Sequence, residues 1–125
     1  VIGYCFGGAQ ALNMARLSSD FKGVVSFHGN LKTGIRAKNN KVKYLVLNGA
    51  ADNFVPKEEI AAFKKEMDSA KIDYKFIDYP NALHAFTNPD ATAIGKKFNL
   101  PIAYNKEADE KSWQEMKTFL AGILK

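Results

Sequence analysis

The sequence holds one cysteine and two histidines in 125 residues. A lone thiol excludes an intramolecular disulfide, and so sparse a Cys/His set, spread along the chain, argues against a structural zinc site. No metal or other cofactor is expected. Arginine is almost as scarce: Arg16 and Arg36 are the only two, and the net charge of +5 comes mostly from scattered lysines such as Lys64-Lys65 and Lys96-Lys97. There is no arginine-rich stripe interleaved with aromatics. The basic excess therefore reads as a solvated surface, and no nucleic-acid partner is expected. No apolar run approaches the roughly 20 residues that span a bilayer, so no membrane partner is expected either. Low-complexity and collagen-like patterns are also missing.

What remains is the balance of a folded domain, with 46% hydrophobic and 25% charged residues. The length suits one modest core. Val1-Ile2-Gly3 reads as the tail of a strand, followed by a small-residue helix to about Leu17 that ends near Ser18-Ser19-Asp20. Residues 23–28 and 42–48 are continuous apolar runs, as in strands buried on both faces. Residues 29–41, rich in Gly, Asn and basic side chains, read as a loop. Pro56 opens a helix whose apolar face is Ile60, Phe63, Met67 and Ala70. Residues 74–79 form a third full strand, and Lys75 and Asp78 give it the polarity of a sheet edge. Residues 80–104, punctuated by Pro80, Pro89 and Pro101, read as irregular. A last helix over about 106–124 carries a stripe of Trp113, Met116, Leu120 and Ile123. Strands alternating with helices predict an α/β fold with a parallel sheet and flanking helices.

Gly3-Tyr4-Cys5-Phe6-Gly7-Gly8 is the sharpest feature. A strand runs through Gly-x-Cys-x-Gly-Gly into a helix, the pattern of a nucleophile elbow with Cys in place of Ser. Gly3 and Gly7 would clear the crowded turn, and Gly8 would let the helix pack closely. The N–H groups at the helix start favour an anion on Cys5, and the backbone N–H of Phe6 would face a developing oxyanion. The alternative is that Cys5 is a small buried hydrophobe among turn glycines.

Asp52 follows the strand of residues 42–48, and His84 follows that of 74–79. In an open parallel sheet, those strand ends face ligands. Taken singly, Asp52 also fits a turn or helix cap and His84 a loop residue bonded to a carbonyl. Taken together, nucleophile, acid and histidine occur in order, 47 and 32 residues apart, each after a successive strand. Such a set supports nucleophilic catalysis with His84 as base and Asp52 as its orienting acid. His28, the other histidine, reads as a packing residue at a strand end or one behind the reacting groups. Phe6, Phe54 and Phe86 adjoin the three positions and either line an apolar pocket or pack loops onto the sheet.

These motifs resemble the dienelactone hydrolase family, within the α/β-hydrolase fold. The resemblance is carried by the cysteine elbow, by Gly23-Val24-Val25-Ser26-Phe27-His28-Gly29, by Gly49-Ala50-Ala51-Asp52 with Val55-Pro56, and by His84-Ala85-Phe86. It implies a partial α/β-hydrolase fold, with residues 1–125 as the C-terminal part of a single domain. It implies Cys5, Asp52 and His84 as catalytic triad and Phe6 as an oxyanion donor. The implied activity is hydrolysis of an ester or lactone through an acyl-thioenzyme, as in a carboxymethylenebutenolidase, with a small-molecule substrate. A missing N-terminal half, or self-association, is expected to cover the open sheet edge, and the expected compartment is the cytoplasm. Two readings compete: a non-catalytic binding module on the same fold, and a cysteine peptidase or acyltransferase with the same triad.

Overall fold

A computed structural model describes residues 1–18 and 20–125, so the part of the expected helix end that falls on Ser19 lies outside the described residues. Four strands, β1 (Ile2–Tyr4), β2 (Gly23–Phe27), β3 (Lys43–Gly49) and β4 (Tyr74–Tyr79), form one parallel sheet in that spatial order. β2 is buried along its whole length and β3 everywhere but Lys43, which explains their continuous apolar sequences. β4 is the edge that its polar residues predict: Lys75 pairs with Glu115, and Asp78 accepts a hydrogen bond from Asn48 at 2.9 Å.

Alternation along the strands sends side chains into two cores. On one face, Val24, Tyr44 and Val46 meet Ala11, Leu12 and Ala15 of α1 (Phe6–Leu17) and Phe63 and Met67 of α2 (Lys57–Ser69). On the other, Val25, Phe27, Leu45 and Leu47 meet Ala108 and Met116 of α4 (Lys106–Ile123). Of the expected α4 stripe, Met116, Leu120 and Ile123 pack toward the sheet, but Trp113 does not. Ala108, Ser112 and Met116 are its buried residues, while Trp113 is 50% exposed. Small side chains at 108 and 112 let the helix backbone approach the sheet, and the bulky indole one position on is carried out toward solvent.

Residues 80–104 are not wholly irregular: α3 (Ala91–Phe98) lies within them. The prolines fall outside this helix, which closes at Asn99 in the left-handed conformation with φ 52°. The 29–41 segment has no helix or strand, as expected, and is held by α2 carboxylates. Glu59 accepts from the Leu31 and Lys32 N–H groups at 2.9 and 2.6 Å, and Glu66 from Ala37 N–H at 2.8 Å. Buried Arg16 of α1 donates through Nε and Nη2 to both Glu66 oxygens at 2.9 and 2.8 Å, tying the two helices together. Among the described residues no helix is long and apolar enough to cross a membrane.

Candidate active site

β1 ends at Tyr4 and α1 begins at Phe6, so Cys5 takes up the whole reversal. Its backbone sits at φ 51°, ψ −120°, a conformation that costs a non-glycine residue of order 1–3 kcal/mol. Hydrogen bonds pin it: Cys5 N–H donates to Phe27 O at 3.0 Å, and Ala9 N–H donates to Cys5 O at 3.2 Å. Gly3 is forced, because a Cβ there would lie 2.0 Å from Gly7 O; Gly8 lets α1 sit against β2, where a Cβ would meet Ser26 Oγ at 2.6 Å. Gly7 differs from expectation. A Cβ there meets nothing within 4 Å, so the crowding falls on its backbone and not on the space beside its α-carbon.

The loops after β3 and β4 are tied to each other and carry the next two residues. Ala51 N–H donates to Ala82 O at 3.0 Å and Ala50 N–H to Tyr79 O at 2.8 Å. Asp52 is buried. Its Oδ1 accepts from Phe54 N–H at 2.9 Å, leaving Oδ2 to the Nδ1 of His84 at 2.9 Å. The fold thus unites Asp52 and His84 from positions 32 residues apart.

His28, which the sequence reads as a packing residue or one behind the reacting groups, comes within hydrogen-bond reach of the sulfur. Cys5 Sγ lies 3.1 Å from Nδ1 of His28, whose Nε2 is 2.8 Å from Thr87 Oγ1. A ligating nitrogen of His84 completes the cluster: Sγ and one nitrogen from each histidine all lie within 4.8 Å of one another. These are donor atoms of metal-ligating type, brought together by folding despite their spread in sequence. His28 is buried and does end its strand as expected, but it touches the thiol directly. The strand pairing accounts for the contact. Tyr4 stands opposite Phe27 across β1 and β2, so Cys5 and His28 are the next residues out on neighbouring strands. Thr87, three residues after His84, was not singled out.

The three phenylalanines divide. Phe86 is fully buried and packs on His28 with ring centres 5.0 Å apart, so it belongs to the core. Phe6 is 77% exposed at the start of α1, and Phe54 is 45% exposed with its ring 5.0 Å from that of His84. Of these two, Phe54 is the one in ring contact with the cluster.

The two histidines carry opposite electrostatics. The hydrogen bond to Asp52, then the Cys5 sulfur beside it, raise the His84 pKa to about 9 against the opposing effect of burial. Burial, followed by repulsion from His84, lowers that of His28 to about 4, although the Asp52 charge pulls the other way. One imidazole is therefore charged at neutral pH and its neighbour is not. A charged ring oriented by a carboxylate, beside a sulfur on a strained turn, is suited to moving a proton on and off that sulfur.

Comparison with known proteins agrees with this picture. The family model for the dienelactone hydrolase family matches residues 1–124. An uncharacterized Caenorhabditis elegans protein is 34% identical over 124 residues, which covers 94% of this chain and 75% of that protein. The crystal structure of a dienelactone hydrolase-like promiscuous phosphotriesterase from metagenomic libraries superposes with a TM-score of 0.84 at 31% identity, covering 98% of this chain and 51% of that one. The solved structure of m3DLH gives a TM-score of 0.85 at 34% identity, covering 98% and 50%. The chain therefore spans about half the length of these solved relatives.

Proposed function

This chain belongs to the dienelactone hydrolase family, and on that premise we propose that it carries the reacting groups of a carboxylic ester or lactone hydrolase. Cys5 is the nucleophile, His84 the acid and base, Asp52 the residue that orients His84, and Phe6 N–H a donor to the oxyanion. One observation carries the reading. Asp52 occupies Nδ1 of His84 at 2.9 Å, which leaves Nε2 for a proton exchanged with Sγ, and the ring nitrogens and sulfur cluster within 4.8 Å.

The chemistry follows from these positions. Transfer of the thiol proton to Nε2 of His84 makes the charged ring that its raised pKa favours, and the Sγ anion left behind attacks the carbonyl carbon. The carbonyl electron pair moves onto oxygen, where the Phe6 N–H at the start of α1 can receive it. When the tetrahedral species collapses, the carbon–oxygen bond to the alcohol breaks and His84 hands its proton to the leaving oxygen. Water, deprotonated by His84, then cleaves the thioester and returns the proton to sulfur. The exposed rings of Phe6, next to Cys5 in the chain, and of Phe54, 5.0 Å from the His84 ring, offer apolar surface to an acyl or alcohol group.

The test is turnover of p-nitrophenyl acetate by the intact protein, with mass spectrometry of the trapped intermediate. Acetyl on the Cys5 peptide, and a loss of at least about a thousandfold in kcat/KM in Cys5→Ala, are expected. Turnover unchanged in Cys5→Ala would remove the reading. The solved relative described as a promiscuous phosphotriesterase gives a second substrate class for the same assay. A phosphotriester would leave a phosphorylated Cys5 in place of an acetylated one.

A further inference from the structure

We propose that His28 is a second nitrogen donor to the Cys5 sulfur, its Nδ1–H aimed at Sγ by a hydrogen bond that Thr87 donates to Nε2. The inference rests on the reading above only in taking Cys5 as the reacting atom. It deepens that reading by assigning a role to an imidazole that the triad leaves unused.

The argument begins with the protons. A neutral imidazole has one N–H, and both nitrogens of His28 have partners: Sγ at 3.1 Å from Nδ1 and Thr87 Oγ1 at 2.8 Å from Nε2. The Thr87 hydroxyl can give or accept, so the sulfur decides. Once the thiol proton has moved to His84, Sγ is an acceptor only. A lone pair on Nδ1 would then point at an anion, whereas an N–H there donates to it. Nε2 is left bare, and the Thr87 hydroxyl proton satisfies it. This arrangement closes every valence in the chain from Thr87 to His28 to Cys5.

The ring is built to stay in that role. It is 2% exposed, so water does not compete for Nδ1. Its backbone is fixed by a hydrogen bond from His28 N–H to Leu47 O at 2.9 Å and by a left-handed φ of 39°. The Phe86 ring meets it edge-on, with centres 5.0 Å apart, and the His84 ring does so at 5.5 Å. Among the charged groups nearby, His84 and Asp52 both face it, one from the loop after β4 and the other from the loop after β3. With its pKa lowered to about 4, His28 stays neutral and does not rival His84 for the thiol proton. The sulfur would thus be held between a charged donor that trades its proton and a neutral one that keeps it. The neutral donor also serves the step in which sulfur leaves the thioester as an anion.

The experiment is the pH profile of Cys5 alkylation by iodoacetamide in the intact protein, alongside ester turnover, for His28→Leu, His28→Asn, Thr87→Val and Thr87→Ser. His28→Leu should move the inflection to higher pH by about one unit, about a tenfold slowing on the acid side. Asparagine tolerates the left-handed backbone and offers an amide N–H in place of Nδ1–H, so His28→Asn should recover most of the shift. Thr87→Val, which has the shape of threonine without the hydroxyl, should shift the profile in the same direction by less, and Thr87→Ser should leave it unmoved. A wild-type profile in Thr87→Val, or in a His28→Leu protein shown by circular dichroism to be folded, overturns the proposal. Should His28→Leu not fold, Thr87→Val decides alone. Failure of the hydrolytic reading looks different: ester turnover would survive Cys5→Ala, whatever the alkylation profiles show.

Discussion

The turn that closes β2 and the loop that follows β4 each bring one histidine to the same sulfur, and the two rings end in opposite states. His84 has a carboxylate at 2.9 Å and its pKa rises to about 9; His28 has a hydroxyl at 2.8 Å and its pKa falls to about 4. The rings are 5.5 Å apart, so the broader surroundings are shared. What separates them is the partner on the far nitrogen and the depth of burial. An ionised acid outweighs the cost of desolvating a cation, and a hydroxyl does not. Placing one of each beside the Cys5 sulfur gives one charged and one neutral ring from the same side chain.

The strongest way to break this contrast is Asp52→Asn, which gives His84 a neutral partner too. A loss of about a thousandfold or more in kcat/KM is expected, since the ring loses both its charge stabilisation and its fixed tautomer. The same variant should move the alkaline limb of the pH–rate profile. On the proposed mechanism the native limb should fall as pH rises through about 9, where His84 would give up the proton the leaving group needs; in Asp52→Asn it should fall at lower pH.

The next test uses stability. His28 binds a proton less readily in the folded chain than in the unfolded one, so its contribution is complete above the unfolded pKa near 6.5. That contribution drains away as pH falls toward about 4, a loss of about 3 kcal/mol for this buried ring. His84 has the opposite sign, stabilising below about 6.5 and losing that contribution as pH rises through about 9. Urea melts at pH 7 and pH 4.5 should show a drop that is smaller in His28→Asn. A drop of equal size in the variant would show that other groups carry the acid sensitivity. Supplying His28 with an acid of its own sharpens the comparison: Thr87→Asp should raise its titration by one unit or more, read from the imidazole signals by NMR. The smallest effect is expected from Phe54→Ala. It removes the ring 5.0 Å from His84 and should change kcat/KM for an apolar ester by less than about tenfold, mostly through KM.

Much of this was legible along the chain. The apolar runs of β2 and β3 announced buried parallel strands because no solvent-facing side exists to interrupt them. Asp52 and His84 could be found because strand ends in such a sheet are where ligand-facing groups emerge, and the fold brings them to 2.9 Å. Helix rotation was harder. The α4 stripe was misjudged at Trp113 because hydropathy favours the indole, while close approach to the sheet favours Ala108 and Ser112. The α3 helix was hidden by the prolines that flank it. The contact of His28 with the thiol was hidden for a different reason: nothing local sets the register of β1 against β2, and only that register puts the ring beside the sulfur.

The backbone under Cys5 has one more implication. Its left-handed bend is enforced by Gly3 lying against the Gly7 carbonyl and by main-chain bonds to Phe27 and Ala9, none of which involves the thiol. The pedestal is therefore indifferent to the atom it displays. A hydroxyl could be installed there without rebuilding the turn, whereas a single methyl group added at Gly3 would topple pedestal and side chain together.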